Sequence, residues 1–185
     1  MKKYSLIVLL TLLFAGCASA PQGQWPAPSA PLNRYALLGK VAIITPKERH
    51  SANLYWQHLG QQYSLKLTSF LGTRILSLDG QPGQVTLVNG DGTYHDSDPQ
   101  RLLYRLTGWQ LPISSFNHWL LGQAGSHDTV TAHNAQGQLQ SLASGPWQVR
   151  FSHYQQQAGR WLPGALSIRR DSLFIKLQIN QWQPR

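Results

Sequence analysis

From residue 34 onward the chain alternates. Residues 34–45 (RYALLGKVAIIT) form a mostly apolar run that predicts a strand. Ala52, Leu54 and Trp56 then alternate with Asn53, Tyr55 and Gln57. Tyr63, Leu65 and Leu67 alternate with Ser64, Lys66 and Thr68, and Ile75–Leu78 and Val85–Leu87 continue the pattern. A period of two marks strands with one buried face. Turn signals punctuate them: Leu59-Gly60-Gln61, Asp79-Gly80, Gln81-Pro82-Gly83, Asn89-Gly90 and Asp91-Gly92.

The middle of the chain changes period. Ser97-Asp98-Pro99 starts a helix, with Pro99 suited to the first helical position. Leu102, Leu103 and Leu106 share one face, Arg101 and Arg105 another, and Gly108 stops the element. After Pro112, Ser114 or Ser115 is placed to cap a second short helix. There Phe116, Trp119 and Leu120 fall at i, i+3 and i+4, and Gly122 ends it.

Strand rhythm returns near Thr129, with a hairpin turn at Ala135-Gln136-Gly137-Gln138. Trp147, Val149 and Phe151 alternate with Gln148, Arg150 and Ser152. Leu166 and Ile168 follow Pro163-Gly164, and Leu173, Ile175, Leu177 and Ile179 alternate with Phe174, Lys176, Gln178 and Asn180. There is no internal repeat. The pattern predicts a mainly β domain with a few α-helices: a strongly curved antiparallel sheet whose concave side is closed by helices. Leu54, Trp56, Leu65, Leu67, Leu76, Leu87, Phe116, Trp119, Trp147 and Phe151 are its candidate inner-face residues, expected to line a hydrophobic cavity. Seven tryptophans, among them Trp109, Trp161 and Trp182, are many for this length. Large side chains on such a face either fill the core or line a cavity within it.

The first residues obey different rules. Lys2 and Lys3 precede an apolar run from Tyr4 to Phe14, which is too short to span a bilayer as a mature helix and reads as a secretory signal peptide. Ala15-Gly16-Cys17 resembles a bacterial lipobox, with Phe14 where Leu is usual. The resemblance implies a signal peptide over 1–16 and lipid attachment at Cys17, the one cysteine of the chain. Ala18, and not Asp, at the next position implies sorting to the periplasmic face of the outer membrane. Residues 17–32 form a lipidated, Pro-rich tether, where Pro21, Pro26, Pro28 and Pro31 forbid a regular helix. At ~3.1 Å per residue it reaches roughly 40 Å. Trp25 either docks on the domain or stays loose. The domain itself covers 33–185.

Charge narrows the partners. Of 185 residues, 16 are Lys or Arg and 7 are Asp or Glu, a net +9 that falls to +7 without Lys2 and Lys3. This excess suits anionic headgroups or an acidic protein; an exported lipoprotein has little access to nucleic acid. The acids are Glu48, Asp79, Asp91, Asp96, Asp98, Asp128 and Asp171. So few argue against chemistry that needs several carboxylates. No P-loop, dinucleotide fingerprint, nucleophile elbow or zinc-protease motif occurs. His95-Asp96-Ser97-Asp98 and His127-Asp128 are the polar clusters nearest to a metal or triad set. The first reads more simply as a turn with a helix cap, and His118 as a rim residue. No catalytic residue, metal ligand or cofactor is expected.

Several segments together resemble the LolB family of outer-membrane lipoprotein receptors. They are Leu65–Thr73 (LKLTSFLGT), Gln81–Val88 (QPGQVTLV), Leu106–Ile113 (LTGWQLPI), Trp119–Gly122 (WLLG), Trp147–Phe151 (WQVRF) and Lys176–Trp182 (KLQINQW). In order and spacing they cover almost the whole mature domain. The resemblance implies an open half-barrel lidded by helices around a hydrophobic cavity. It also implies a function: receipt of lipoproteins from a LolA-like periplasmic carrier, through their acyl chains, and their release into outer-membrane phospholipid. The Pro-rich run replaces a helix-forming stretch seen in the family, so a lid of two helices is expected. A sixteen-carbon chain in water costs on the order of 12 kcal/mol, at ~0.8 per methylene. Such a client needs a series of apolar pockets and no bond chemistry. A lipid-anchored envelope enzyme and a purely structural lipoprotein are the competing readings.

The segment Ser69-Phe70-Leu71-Gly72-Thr73 joins two expected strands, yet carries two large apolar side chains where turns are normally polar. Either they fold back into the core or they project. The resemblance favours projection toward the membrane: Leu71 stands just before the glycine, as in the family loop, and Phe70 where the family has proline. Phe70, Leu71 and Gly72 are therefore the expected membrane-insertion loop.

Overall fold

The computed structural model describes residues 32–184; the expected signal peptide over 1–16, Cys17 and the expected tether through Pro31, with Trp25, lie outside the described residues. The first half is a meander: β1 (Arg34–Ile44), β2 (Arg49–Leu59), β3 (Gln62–Thr68), β4 (Arg74–Gln81), β5 (Gln84–Asn89) and β6 (Gly92–Asp96). Two helices follow, α1 (Pro99–Thr107) and α2 (Ile113–Trp119). The second half holds β7 (Thr129–His133), β8 (Leu139–Ser144), β9 (Trp147–Ser152), β10 (Gln155–Gln157), β11 (Arg160–Leu162), β12 (Ala165–Arg170) and β13 (Leu173–Pro184).

Eleven strands form one sheet in the order β6-β5-β4-β3-β2-β1-β13-β12-β9-β8-β7, and β10 pairs with β11 separately. The chain enters in the middle of the sheet, pairs outward to one edge, crosses to the other edge and pairs back to the middle. The sheet does not close, since β6 and β7 are both edges. The helices lie in the crossover between those edges, so topology alone carries them from one side of the sheet to the other.

Register puts the apolar residues of successive strands in rows. One runs Trp182–Leu37–Trp56–Leu65–Leu78–Leu87–Tyr94 across seven strands. A second runs Ile43–Ile175–Ile168–Val149–Leu142–Val130 across six. Nearly all of these side chains are buried; Tyr94 and Val130, on the edge strands, keep some exposure. Because successive side chains alternate in direction, a one-residue slip would turn every member outward.

Two glycines make the register possible. At Gly39 the pairing of β1 with β13 shifts, and a Cβ there would lie 2.2 Å from the Gln178 carbonyl oxygen. At Gly80 a Cβ would lie 2.2 Å from the Tyr63 ring. That ring crosses the bare backbone and stacks on Trp56, with centroids 5.4 Å apart and planes 10° apart. Asp79-Gly80 is therefore not a turn, contrary to the sequence reading. β4 continues through both residues, and the reversal comes at Gly83, whose φ is 74°.

The helix ends differ in the same way. Asp98 caps α1 as expected, accepting from the N–H groups of Gln100 at 2.8 Å and Arg101 at 3.1 Å. Gly108 closes it at φ 71°. For α2, neither Ser114 nor Ser115 is the cap: the helix begins at Ile113 behind Pro112 with no side-chain cap. Burial of Ile113 draws the first turn inward, and Ser114 Oγ instead accepts from Gln100 Nε2 at 3.3 Å, joining the two helices. Alternation did not reveal β6, a short edge strand read as a turn, or the three-residue strands β10 and β11.

Gly39→Ala is expected to cost more stability than Gly80→Ala. The first meets backbone that cannot yield, the second a side chain that can swing away. Overpacking typically costs about 1–3 kcal/mol; urea unfolding should put Gly39→Ala at or above the top of that range, and Gly80→Ala lower, with altered Trp56 fluorescence.

Candidate functional site

All ten predicted inner-face residues lie on one side of the sheet or on the helices above it, and all are buried in a single apolar cluster. Leu54 pairs with Leu67 and Leu67 with Leu76, flanking the longer row that holds Trp56, Leu65 and Leu87. Phe151 pairs with Leu166 on the other half of the sheet. Trp56 meets Phe116 edge-on at 5.9 Å, and Phe116 lies 6.5 Å from Trp119. An aromatic chain thus runs from the sheet into the helical cover. Alternation missed Leu37, which keeps the period of Val41 and Ile43, and Trp182, which lies one residue out of phase with Ile175, Leu177 and Ile179 because the register shifts opposite Leu38 and Gly39.

The cover is held at one end by a carboxylate. Trp119 Nε1 donates to Asp128 Oδ2 at 2.7 Å, and the Gly125 N–H donates to the same oxygen at 2.8 Å. Burial pushes the Asp128 carboxyl up, but hydrogen bonds from Ser144, Gly125 and Trp119 outweigh it, and its pKa ends below the ordinary value of 3.8. Elsewhere the seam beneath α2 is poorly satisfied. His58 Nδ1 and Asn117 Oδ1 are buried without a hydrogen-bond partner, and Trp56 Nε1 has only the Tyr35 side chain to interact with, short of good hydrogen-bond geometry. Burial, then the nearby His118, pushes the His58 imidazole down and favours its neutral form. Each such group costs about 1–3 kcal/mol, so the contact between lid and sheet is apolar and tight but weak in its polar detail.

The loop between β3 and β4 projects. Phe70 is 93% and Leu71 87% exposed, which excludes folding back into the core. Its backbone is nevertheless pinned: the Ser69 N–H donates to the Thr73 carbonyl at 2.8 Å, the Gly72 N–H to that of Ser69 at 3.0 Å, and the Thr73 N–H to Ser69 Oγ at 3.1 Å. Gly72 takes φ 84°, a conformation that disfavours other residues. Asn53 Nδ2 donates to the Ser69 carbonyl at 3.0 Å and ties the loop to the sheet.

The opposite face of the sheet is polar. There an open groove of about 1310 Å³ crosses the central strands; Lys40, Arg49, Arg150 and Lys176 line it with serines and glutamines, but so do Phe70 and the apolar strand residues Val41, Phe151, Leu166, Leu177 and Ile179. The polar clusters of the sequence are spent on structure. Asp96 accepts from Arg101 and from the Ser97 and Asp98 N–H groups. The Arg101 guanidinium holds its carboxyl well below the usual range. His95 Nδ1 pairs with Thr86 Oγ1 at 3.0 Å, His118 is exposed, and Asp128 serves Trp119. Among the described residues no three His, Cys, Asp or Glu side chains come together.

An open antiparallel sheet with one apolar face, roofed by a helical crossover, is a fold that other solved structures share. The chain superimposes on a putative outer membrane lipoprotein-sorting protein domain from Vibrio parahaemolyticus with TM-score 0.55 at 7% identity, over 82% of this chain and 85% of that one. A LolA superfamily protein from Nitrosomonas europaea gives 0.51 at 6% identity, over 84% and 88%. Sequence narrows the class. The family model for outer membrane lipoprotein LolB matches residues 33–182. The outer-membrane lipoprotein LolB of Shewanella loihica is 39% identical over 187 aligned positions, covering 97% of this chain and 87% of that protein. That of Shewanella oneidensis is 38% identical over 190, covering 97% and 89%. The chain belongs to the LolB family of outer-membrane lipoproteins.

Asp128→Asn is expected to loosen the lid by about 1–3 kcal/mol. Because the folded-state pKa lies below the unfolded one, the contribution is complete above the ordinary carboxylate range and is lost as pH falls through the folded value. Unfolding measured between pH 7 and 3 should show a shallower acid loss in Asp128→Asn than in the parent.

Proposed function

We propose that this protein, anchored in the outer membrane through Cys17, accepts lipoproteins from a LolA-like carrier and inserts them into the membrane. The observation that carries the reading is the continuous apolar inner face under a crossover lid. Leu54, Trp56, Leu65, Leu67, Leu76, Leu87, Trp147 and Phe151 form the floor that acyl chains meet, and Phe116 and Trp119 the roof. The lid lifts to admit them, and the unpartnered polar groups beneath α2 favour that movement. Phe70 and Leu71, exposed on a stiff loop, contact the bilayer during release. Burying one leucine gains roughly 1.5–3 kcal/mol, enough for transient contact without a second anchor. The transfer makes and breaks no bond, so this reading asks for no catalytic residue.

Direction then follows from affinity alone. Acyl chains move from carrier to receptor to bilayer if each binds more tightly than the last, and the basic receptor draws an acidic carrier to the encounter.

The test is a two-step transfer: loaded carrier to receptor, then receptor to liposome. Leu71→Glu should leave the first step near the parent level and reduce the second severalfold. Failure at the first step, or parental behaviour at both, overturns the role of the loop. A Cys17→Ala form released into the periplasm should still accept clients, read by co-purification. Loss of acceptance would place the anchor within the binding site.

A further inference from the structure

The basic groove on the outer face lies on the side of the sheet that faces away from the proposed acyl-binding surface, and the transfer of acyl chains does not use it. Its lining is mixed, with apolar strand residues among the polar ones, but its charge is one-sided. Lys40, Arg49, Arg150 and Lys176 line it, and no acidic residue does. All four are exposed, and none forms an ion pair among the described residues. Pairing sets their spacing. Arg150 and Lys176 both lie opposite Ser167, on strands to either side of it, which at ~4.8 Å per strand separates their backbones by roughly 10 Å. Lys40 is diagonal to Lys176 on the next strand, about 7–8 Å away. Four uncompensated cations at such distances repel one another unless anions lie between them.

The groove is continuous with the projecting loop. Phe70 lines it, and Asn53, a residue of the same groove, holds the Ser69 carbonyl. β2 runs on beyond its last pairing with β3, Asn53 with Thr68, so Arg49 and Ser51 flank the loop. An apolar tip thus stands directly beside a cationic surface. Leu71 lies three residues beyond the strand end at Thr68, at the tip of a closed turn. The polar layer of a bilayer is about 5–8 Å deep on each side of the hydrocarbon. With Leu71 in hydrocarbon, the end of the groove beside the loop, at Arg49 and Ser51, is the part that meets the phosphates.

We infer that this groove is a docking surface for the phosphate headgroups of anionic phospholipid, holding the outer face of the sheet against the membrane while Leu71 inserts. An acidic protein would satisfy the cations, but it would not call for an exposed Phe-Leu tip beside them. The inference rests on the loop as the membrane contact and adds a headgroup site to it. A tethered domain has no preferred face toward its membrane; this surface supplies one.

The experiment uses the lipidated mature protein on vesicles. Cys17 is acylated, so Gln178→Cys offers a single thiol in the groove, and Tyr104→Cys on α1 a control on the other face. Each is labelled with a fluorophore, and vesicles of phosphatidylethanolamine with or without phosphatidylglycerol carry a headgroup quencher. The label at 178 should be quenched more than that at 104, and more so with phosphatidylglycerol. The triple variant Lys40→Gln, Arg150→Gln, Lys176→Gln should lower the docked-to-undocked ratio about fivefold per charge removed, and about 1 M salt should abolish the preference. Leu71→Gln, which adds no charge, separates this site from the loop: it lowers quenching at both salt levels alike, whereas the charge variant acts only at low salt. Equal quenching at the two positions, or a triple variant that quenches like the parent, overturns the proposal. So does protection of position 178 only when the carrier is added, which would assign the face to the carrier.

Discussion

The pairing of β1 with β13 is the constraint on which the rest depends. It joins strands near opposite ends of the described chain in the centre of the sheet. Both halves of the molecule grow outward from this seam. Closing so long a loop is entropically costly and is slow to nucleate. The register holds because both strands bury an apolar face and because Gly39 accepts the Gln178 carbonyl. If the seam slipped by one residue, Leu37, Val41 and Ile43 would face water and the rows they anchor would break.

From that seam the lid follows. A chain that starts and finishes in the middle of an open sheet must at some point pass from one edge to the other. The passage crosses the apolar face, and the segment that makes it is therefore selected to be helical and apolar underneath. Leu102 and Leu103 of α1 and Ile113, Phe116 and Trp119 of α2 are buried against the sheet or each other. A cover made from a crossover is joined to the sheet at its ends and not along its length. The proposed entry of acyl chains requires it to shift while the strand ladder stays intact. The edges it connects are protected: β6 is short and packed by α1, and β7 carries two register shifts that spoil it as a template.

The two faces of the sheet divide the work by alternation. Residues of one parity make the apolar interior; their neighbours carry Lys40, Arg150 and Lys176 to the other side. The loop at Phe70 and Leu71 sits where these faces meet the end of the sheet. Its backbone bonds fix the direction of two apolar side chains that water would otherwise drive inward, so their exposure is built and not incidental.

Much of this was legible in one dimension. Period-two alternation marked most strands and their inner faces, because a half-buried strand needs nothing else. Asp98 and Pro99 marked the start of α1 through local capping chemistry, and the ten candidate residues of the apolar face are all buried. What sequence could not decide was set by partners distant in the chain. Asp79-Gly80 has the composition of a turn, yet Gly80 is a strand residue because Tyr63 must cross it to reach Trp56. Ser115 has the chemistry of a cap, yet burial of Ile113 started α2 earlier. Asp128 looked like part of a polar cluster, and only the fold brought Trp119 to it. Whether Phe70 and Leu71 turned inward or outward was equally open from residue types alone. Hydrogen bonds within the loop, and from Asn53 sixteen residues before Ser69, settled it. Alternation along the chain determines which side of a strand is apolar; only pairing across the sheet decides which cations, which rings and which loops become neighbours.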